Sequence, residues 1–210
     1  LFIRELTFIN RSELNSVYVE VLRGLFDLVS SSSGREVGEF YTPLAITKLM
    51  AYIVNKEQCV KIYDPFCGTA SIVHELSQFM GLPIFSGQEL NYKTSIYARI
   101  NAEALYGNDE CIVNVDSIRR WDSYSYDAIV SCPPFGMRLT QEQLYEARHT
   151  TPECPCRSYE ELILTRPFYC NHAKLAVTLL QTSFCFRGSR DYEIRRELVE
   201  HNFLDTIIAL

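Results

Sequence analysis

Three carboxylates and one rigid turn carry the groups in this chain whose types and spacing could do chemistry. The turn is Ser131-Cys132-Pro133-Pro134-Phe135-Gly136, reached directly from the apolar run at 126–130. Two successive prolines donate no N–H and fix φ, so a sheet ladder stops there, leaving an outward carbonyl and an aromatic ring. Upstream, Asp64-Pro65-Phe66-Cys67-Gly68-Thr69-Ala70 separates the apolar run at 60–63 from a helical pattern opening at Ser71. Gly68 allows close backbone approach, and free N–H groups at a helix start can meet a carboxylate or phosphate. Glu89 lies 21 positions after Gly68, a spacing that suits a carboxylate taking both ribose hydroxyls of an adenosine-containing ligand. Asp116 ends the next apolar run, where its carboxylate could accept from an adenine amino group. Neither a Gly-x-Gly-x-x-Gly fingerprint nor a Walker loop is present, which weakens both nucleoside-phosphate readings.

These groups need a scaffold that gathers them. Apolar positions at helical spacing run through residues 2–29, and Ser30 to Gly34 forms a break. Thr42 is expected to cap a helix that has Pro43 at its first position and runs to about Val54. Strands are predicted at 60–63, 84–88, 111–115 and 126–131, and helices at 71–80 and 92–105, the latter closed by Gly107. The polar stretch from Arg138 to Ser158 predicts a long loop. A helix at 159–170, a strand at 173–180, a helix at 193–200 and a strand opening at 203 complete the pattern. Strands alternating with helices predict a doubly wound parallel α/β sheet, whose ligands bind at the carboxyl ends of the strands. The expected organisation is a helical segment at 1–35 and a core at 36–210.

Hydrophobic residues make up 47% and charged residues 22% of the 210 residues, an ordinary globular balance. No apolar run is long enough for a membrane span, and no basic-then-apolar signal peptide opens the chain. Eight cysteines without framework spacing read as reduced thiols in the cytoplasm. His149, Cys154, Cys156, Cys170 and His172 could supply zinc ligands, but Cys-x-Cys and Cys-x-His are not the usual knuckles, and no metal is expected. A net charge of −6 means that DNA, if it is the partner, is met by a local basic cleft or by another subunit. Arg138, Arg148, Arg157 and Arg187 are the candidate contacts. Opening on Leu1 and closing on Thr206-Ile207-Ile208-Ala209-Leu210, the chain reads as a fragment of a longer one.

The ordered set of motifs resembles the adenine-N6 DNA methyltransferases, and more closely the modification subunit of type I restriction–modification systems. Its carriers are Gly38-Glu-Phe-Tyr-Thr-Pro43, Asp64-Pro-Phe-Cys-Gly-Thr-Ala70, Gly87-Gln-Glu-Leu-Asn91, Asn114-Val-Asp-Ser117 and Cys132-Pro-Pro-Phe-Gly136. Phe186-Arg-Gly188, Ile194-Arg195 and Leu204-Asp-Thr-Ile-Ile208 extend the match. The resemblance implies a Rossmann-like sheet binding S-adenosylmethionine. It implies that Tyr41, Thr42, Asp64 and Gly68 meet the methionine end, Glu89 the ribose and Asp116 the adenine amino group. Phe135 would stack on a target adenine extruded from DNA, and the Pro133 carbonyl and residue 132 would accept its N6 hydrogens. Specificity and restriction subunits are the implied partners.

Two positions depart from that pattern. The family carries Asn, Asp or Ser before Pro-Pro, where this chain has Cys132, a weak hydrogen-bonding group. Ala70 stands where a second glycine is usual. The alternative is therefore a cofactor-binding, catalytically impaired structural subunit. Residue 132 is expected to face substrate rather than cofactor. A protein glutamine methyltransferase also uses a Pro-Pro turn, but Gly-Glu-Phe-Tyr-Thr-Pro favours DNA.

Overall fold

A computed structural model describes residues 42–150 and 156–210, together with Val17, Val21 and Gly24, which are helical. The rest of the 1–35 segment, Gly38 to Tyr41 and Cys154 lie outside the described residues. From residue 42 onward the elements are α1 (Leu44–Lys56), β1 (Lys61–Asp64), α2 (Ser71–Met80), β2 (Ile84–Glu89), α3 (Tyr92–Tyr106) and β3 (Ile112–Asn114). Then follow β4 (Ala128–Ser131), α4 (Gln141–Thr150), α5 (Tyr159–Tyr169), β5 (Leu175–Thr178), a 3-10 turn (Thr182–Cys185) and α6 (Arg190–Glu200).

The five strands are all parallel, in the order β3-β2-β1-β4-β5. Register pairs Ile62 with Phe85 on one side of β1 and with Ala128 on the other. Both faces are covered, as the alternation predicts. On one face Met50, Ala51 and Val54 of α1, Ile72 and Leu76 of α2 and Ala98 of α3 pack on Ile62, Phe85 and Val130. On the other, Ile163 of α5 packs with Tyr63, Tyr126 and Ile129. Ile62, Leu76 and Val130 expose no surface, and burying such side chains stabilises by about 1.5–3 kcal/mol each. Gly87 sits where β2 meets the loop after β1, and a Cβ there would lie 2.9 Å from Phe85 and Ile112 atoms and 3.0 Å from Cys67 Sγ.

Three sequence expectations are corrected. The polar stretch after Phe135 is not all loop, because α4 forms inside it. Thr140 Oγ1 accepts the Gln143 N–H at 3.2 Å and Gln143 Oε1 accepts the Thr140 N–H at 3.0 Å, a reciprocal cap. Leu139 and Ala147 are buried beside it. Thr42 is not the cap of α1. Pro43 holds that position, and its carbonyl accepts from Ile46 and Thr47. Residues 203–210 join no sheet: Phe203 stacks on Phe168 at 4.4 Å, and the exposed chain beyond forms no ladder. Among the described residues no helix is long and apolar enough to cross a membrane.

Candidate active site at the carboxyl ends of the strands

The strand order reverses direction between β1 and β4, and ligands of open α/β sheets bind at such a switch point. The loop leaving β1 and the proline turn leaving β4 therefore face one another. Asp64 ends β1 with its carboxyl buried, and Oδ1 accepts the Phe66 N–H at 3.0 Å. Burial pushes this carboxyl up to about 8; the Phe66 N–H and Ser131 oppose the shift and the nearby Glu89 adds to it. A cation placed here would reverse that shift. Alternation along β4 sends successive side chains to opposite faces: Val130 and Cys132 join the α1 side, Ile129 the α5 side.

Glu89 ends β2 and reaches across to the glycine turn. Its Oε2 accepts the Gly68 N–H at 3.1 Å, and its Oε1 accepts the Asn91 N–H at 2.6 Å. Burial raises its carboxyl, and those N–H groups hold it down. Gly68 and Ala70 both take left-handed conformations, φ 56° each. At Ala70 that costs about 1 kcal/mol relative to glycine, which gives the departure from a second glycine a physical meaning. Asn91 caps α3 by accepting from the Lys93 and Thr94 N–H groups.

Asp116 follows β3 in a loop pinned from below. Its Oδ1 accepts the Ile118 N–H at 2.9 Å, while Oδ2 lies 3.8 Å from Arg119 Nε. Ser117 donates to the Pro65 carbonyl at 2.5 Å. Arg166, fully buried on α5, donates to the Ser117 and Ile118 carbonyls and lies over the Trp121 ring at 5.3 Å. Sequence reading gave Ser117 no role beyond its place in the Asn114–Ser117 motif and did not single out Arg166. Nothing local announces a contact across some 49 positions.

In the turn after β4, Pro133 is buried and Phe135 is 46% exposed, its ring open to solvent at the strand's carboxyl end. Cys132 lies beside Thr42 and Asp64. Its Sγ is 3.6 Å from Met50 Sδ of α1. Burial pushes the thiol up to about 12, against a Thr42 side-chain hydrogen bond and with the Asp64 charge adding to it. Alternation along β4 directs residue 132 toward α1. Of the predicted site residues, Thr42, Asp64 and Cys132 come together in one place, and Gly68 with Glu89 in a second beside it. Tyr41 lies outside the described residues.

The surrounding candidates sort differently. The Arg138, Arg148 and Arg157 side chains are exposed, and Arg138 bridges to Ser158. Arg187 is committed to Asp191 at 2.7 Å and lies 3.8 Å from Glu160. Among the described residues no group of His, Cys, Asp and Glu could hold a metal ion, and the seven described cysteines are free thiols.

A family model described as N-6 DNA Methylase matches residues 14–210. The chain belongs to the N-6 DNA methylase family. The motifs from Asp64 to Gly136 sit on an α/β fold of the kind the resemblance implied. As an N-6 DNA methylase it is similar to the type I restriction enzyme MpnII methylase subunit of Mycoplasma pneumoniae, 23% identical across 94% of this chain and 42% of that protein. The MjaVIII methylase subunit of Methanocaldococcus jannaschii is 24% identical across 82% of this chain and 33% of that protein. The chain thus spans less than half the length of these relatives. A solved structure from work on assembly and conformational transition of a type I system covers 91% of this chain and 42% of its own at TM-score 0.70 and 21% identity. A class I S-adenosylmethionine-dependent methyltransferase from Listeria monocytogenes covers 93% of this chain and 61% of its own at TM-score 0.63 and 18% identity. At such identities the structural likeness speaks for the fold, a class I methyltransferase sheet.

Proposed function

We propose that this N-6 DNA methylase chain transfers a methyl group from S-adenosylmethionine to N6 of adenine in DNA. It would act in the cytoplasm, beside the specificity and restriction subunits of a type I complex. The observation that carries this reading is the meeting of the Asp64–Gly68 loop with the Cys132–Phe135 turn at the switch point of the sheet.

The residues fit the cofactor chemically. Asp64 is a buried carboxyl that a cationic amino-acid group would relieve. Gly68 offers close backbone approach, Glu89 carries further lone pairs for ribose hydroxyls, and Asp116 can accept from an adenine amino group. Tyr41 and Thr42 would lie at the methionine end. The bound cofactor supplies an electrophilic methyl group on a sulfonium. The chain's own work is positioning: Phe135 stacks on the extruded base, and the Pro133 carbonyl accepts one N6 hydrogen, turning the nitrogen's lone pair outward. Residue 132 would take the other hydrogen.

Cys132 favours a second reading, a subunit that holds cofactor and transfers methyl groups poorly. Its thiol stays protonated and packs on Met50, so it is a weak partner for N6. Single-turnover transfer of labelled methyl groups to DNA, with the partner subunits supplied, separates the two. Labelled DNA at an ordinary enzymatic rate supports the first reading, and bound cofactor without transfer supports the second. Absence of cofactor binding overturns both.

A further inference from the structure

Glu160 lies in the first turn of α5 and is 1% exposed. That helix start is already capped without it. Ser158 Oγ accepts the Glu161 N–H at 3.2 Å, and Glu161 Oε2 accepts the Arg157 N–H at 2.8 Å. Glu160 turns instead toward the proline turn, where its Oε1 accepts the Gly136 N–H at 2.9 Å. Gly136 has φ 65°, and a Cβ there would sit 3.5 Å from Gln181 Oε1. The residue after Phe135 is therefore tied to α5 by this hydrogen bond and lies beside Gln181, which precedes the 3-10 turn.

A buried carboxylate persists only where it is paired and hydrogen-bonded. Among the described residues Arg187 pairs with Glu160, with Nη2 3.8 Å from the same Oε1 and Nε 2.7 Å from Asp191. Arg187 is itself fixed. Arg195 Nη2 donates to its carbonyl at 2.8 Å, Arg195 Nη1 donates to the Phe184 carbonyl, and both guanidinium groups lie 5.9 Å from the buried Phe184 ring.

We propose that Glu160 and Arg187 are positioning residues for the target base. Glu160 fixes the Phe135 turn through Gly136, and Arg187, on the other side of the same oxygen, holds the Glu160 side chain in place. This rests on the adenine-binding reading of Phe135. It assigns Arg187 to the turn rather than to the DNA backbone.

The test uses the protein with S-adenosylhomocysteine and a single-stranded oligodeoxynucleotide carrying one 2-aminopurine, whose fluorescence falls when the base stacks on an aromatic ring. Exchange of the Gly136 amide, followed by 15N-glycine NMR, reports the hydrogen bond independently of function. Glu160→Leu should speed Gly136 exchange and weaken the 2-aminopurine quench by about tenfold in oligonucleotide affinity, with cofactor-product affinity unchanged. Glu160→Gln keeps an acceptor and should retain most of both. Arg187→Ala should behave like Glu160→Leu, and adding Glu160→Gln should rescue it, because no buried charge is then left unpaired. The salt dependence of oligonucleotide binding should be the same for Arg187→Ala as for wild type. A slope reduced by about one phosphate contact, or failure of Glu160→Gln to rescue, overturns the proposal. If Phe135→Ala abolishes the quench while the Glu160 and Arg187 variants leave it intact, positioning fails and the adenine reading stands. If Phe135→Ala leaves the quench intact, the adenine reading itself fails.

Discussion

Glu89 Oε2 accepts the Gly68 N–H at 3.1 Å, so the carboxylate at the end of one strand closes the glycine turn after its neighbour. The same side chain holds Asn91, the cap of α3. Any ligand that meets Glu89 therefore meets a group already fixed by two backbone donors.

Glu89 accordingly has two separable roles. Glu89→Ala should lower both stability and affinity for S-adenosylhomocysteine, since two part-buried N–H groups lose their acceptor at about 1–3 kcal/mol each. Glu89→Gln keeps an acceptor and should melt close to wild type, yet bind the product roughly 10- to 30-fold more weakly for want of a charged partner. Calorimetry and thermal melts read both. Equal affinity for wild type and Glu89→Gln would leave the residue a brace only.

Asp64 makes stability and binding depend on pH in opposite senses. Its folded carboxyl is raised from 3.8 to about 8, so the folded state binds more protons between those values. Stability from this group is full below pH 3.8 and is lost as pH rises toward 8. Asp64→Asn should flatten that decline in denaturant titrations. A cationic ligand reverses the preference, so binding near pH 7 should release a proton. Calorimetry in buffers of different ionisation enthalpy should show that release in wild type and lose it in Asp64→Asn.

Cys132→Asn should raise methyl transfer by roughly 10² to 10³, the effect of restoring one preorganised partner at the reacting nitrogen. Because Cys132 lies against Met50 and Thr42, product affinity and melting must be measured alongside. A flat rate with cofactor and DNA still bound would show that the turn does not limit the reaction. In wild type the thiol, pushed up to about 12, should alkylate slowly at pH 8, well behind an exposed thiol.

DNA binding by the chain alone should be weak, strongly salt-dependent and indifferent to sequence, given a net charge of −6. Charge reversal at the exposed Arg138 or Arg157 should weaken it and lower the salt slope. Nanomolar, sequence-specific binding without a partner would reveal a recognition element not identified above.

Much of this molecule was legible in its residues because the relevant physics is local. Alternating apolar runs and helical periods gave the doubly wound sheet, with the boundaries of α2 as predicted and those of α3 within a residue. The two prolines after Ser131 marked the strand's end, and the glycine turn stood where the helix start required it. Even α4 had its signal in Thr140-x-x-Gln143, outweighed by the polarity of the stretch around it. What residue order did not determine was which groups meet. That Cys132 lies against Met50, Glu89 against Gly68 and Glu160 against Gly136 depends on the order β3-β2-β1-β4-β5, which sets loops far apart in sequence side by side. Alternation fixes which face of a strand a side chain takes, but only packing decides what it finds there. Residues 203–210 carry a strand's pattern and form no ladder, because a strand is completed by a neighbour's backbone and not by its own sequence.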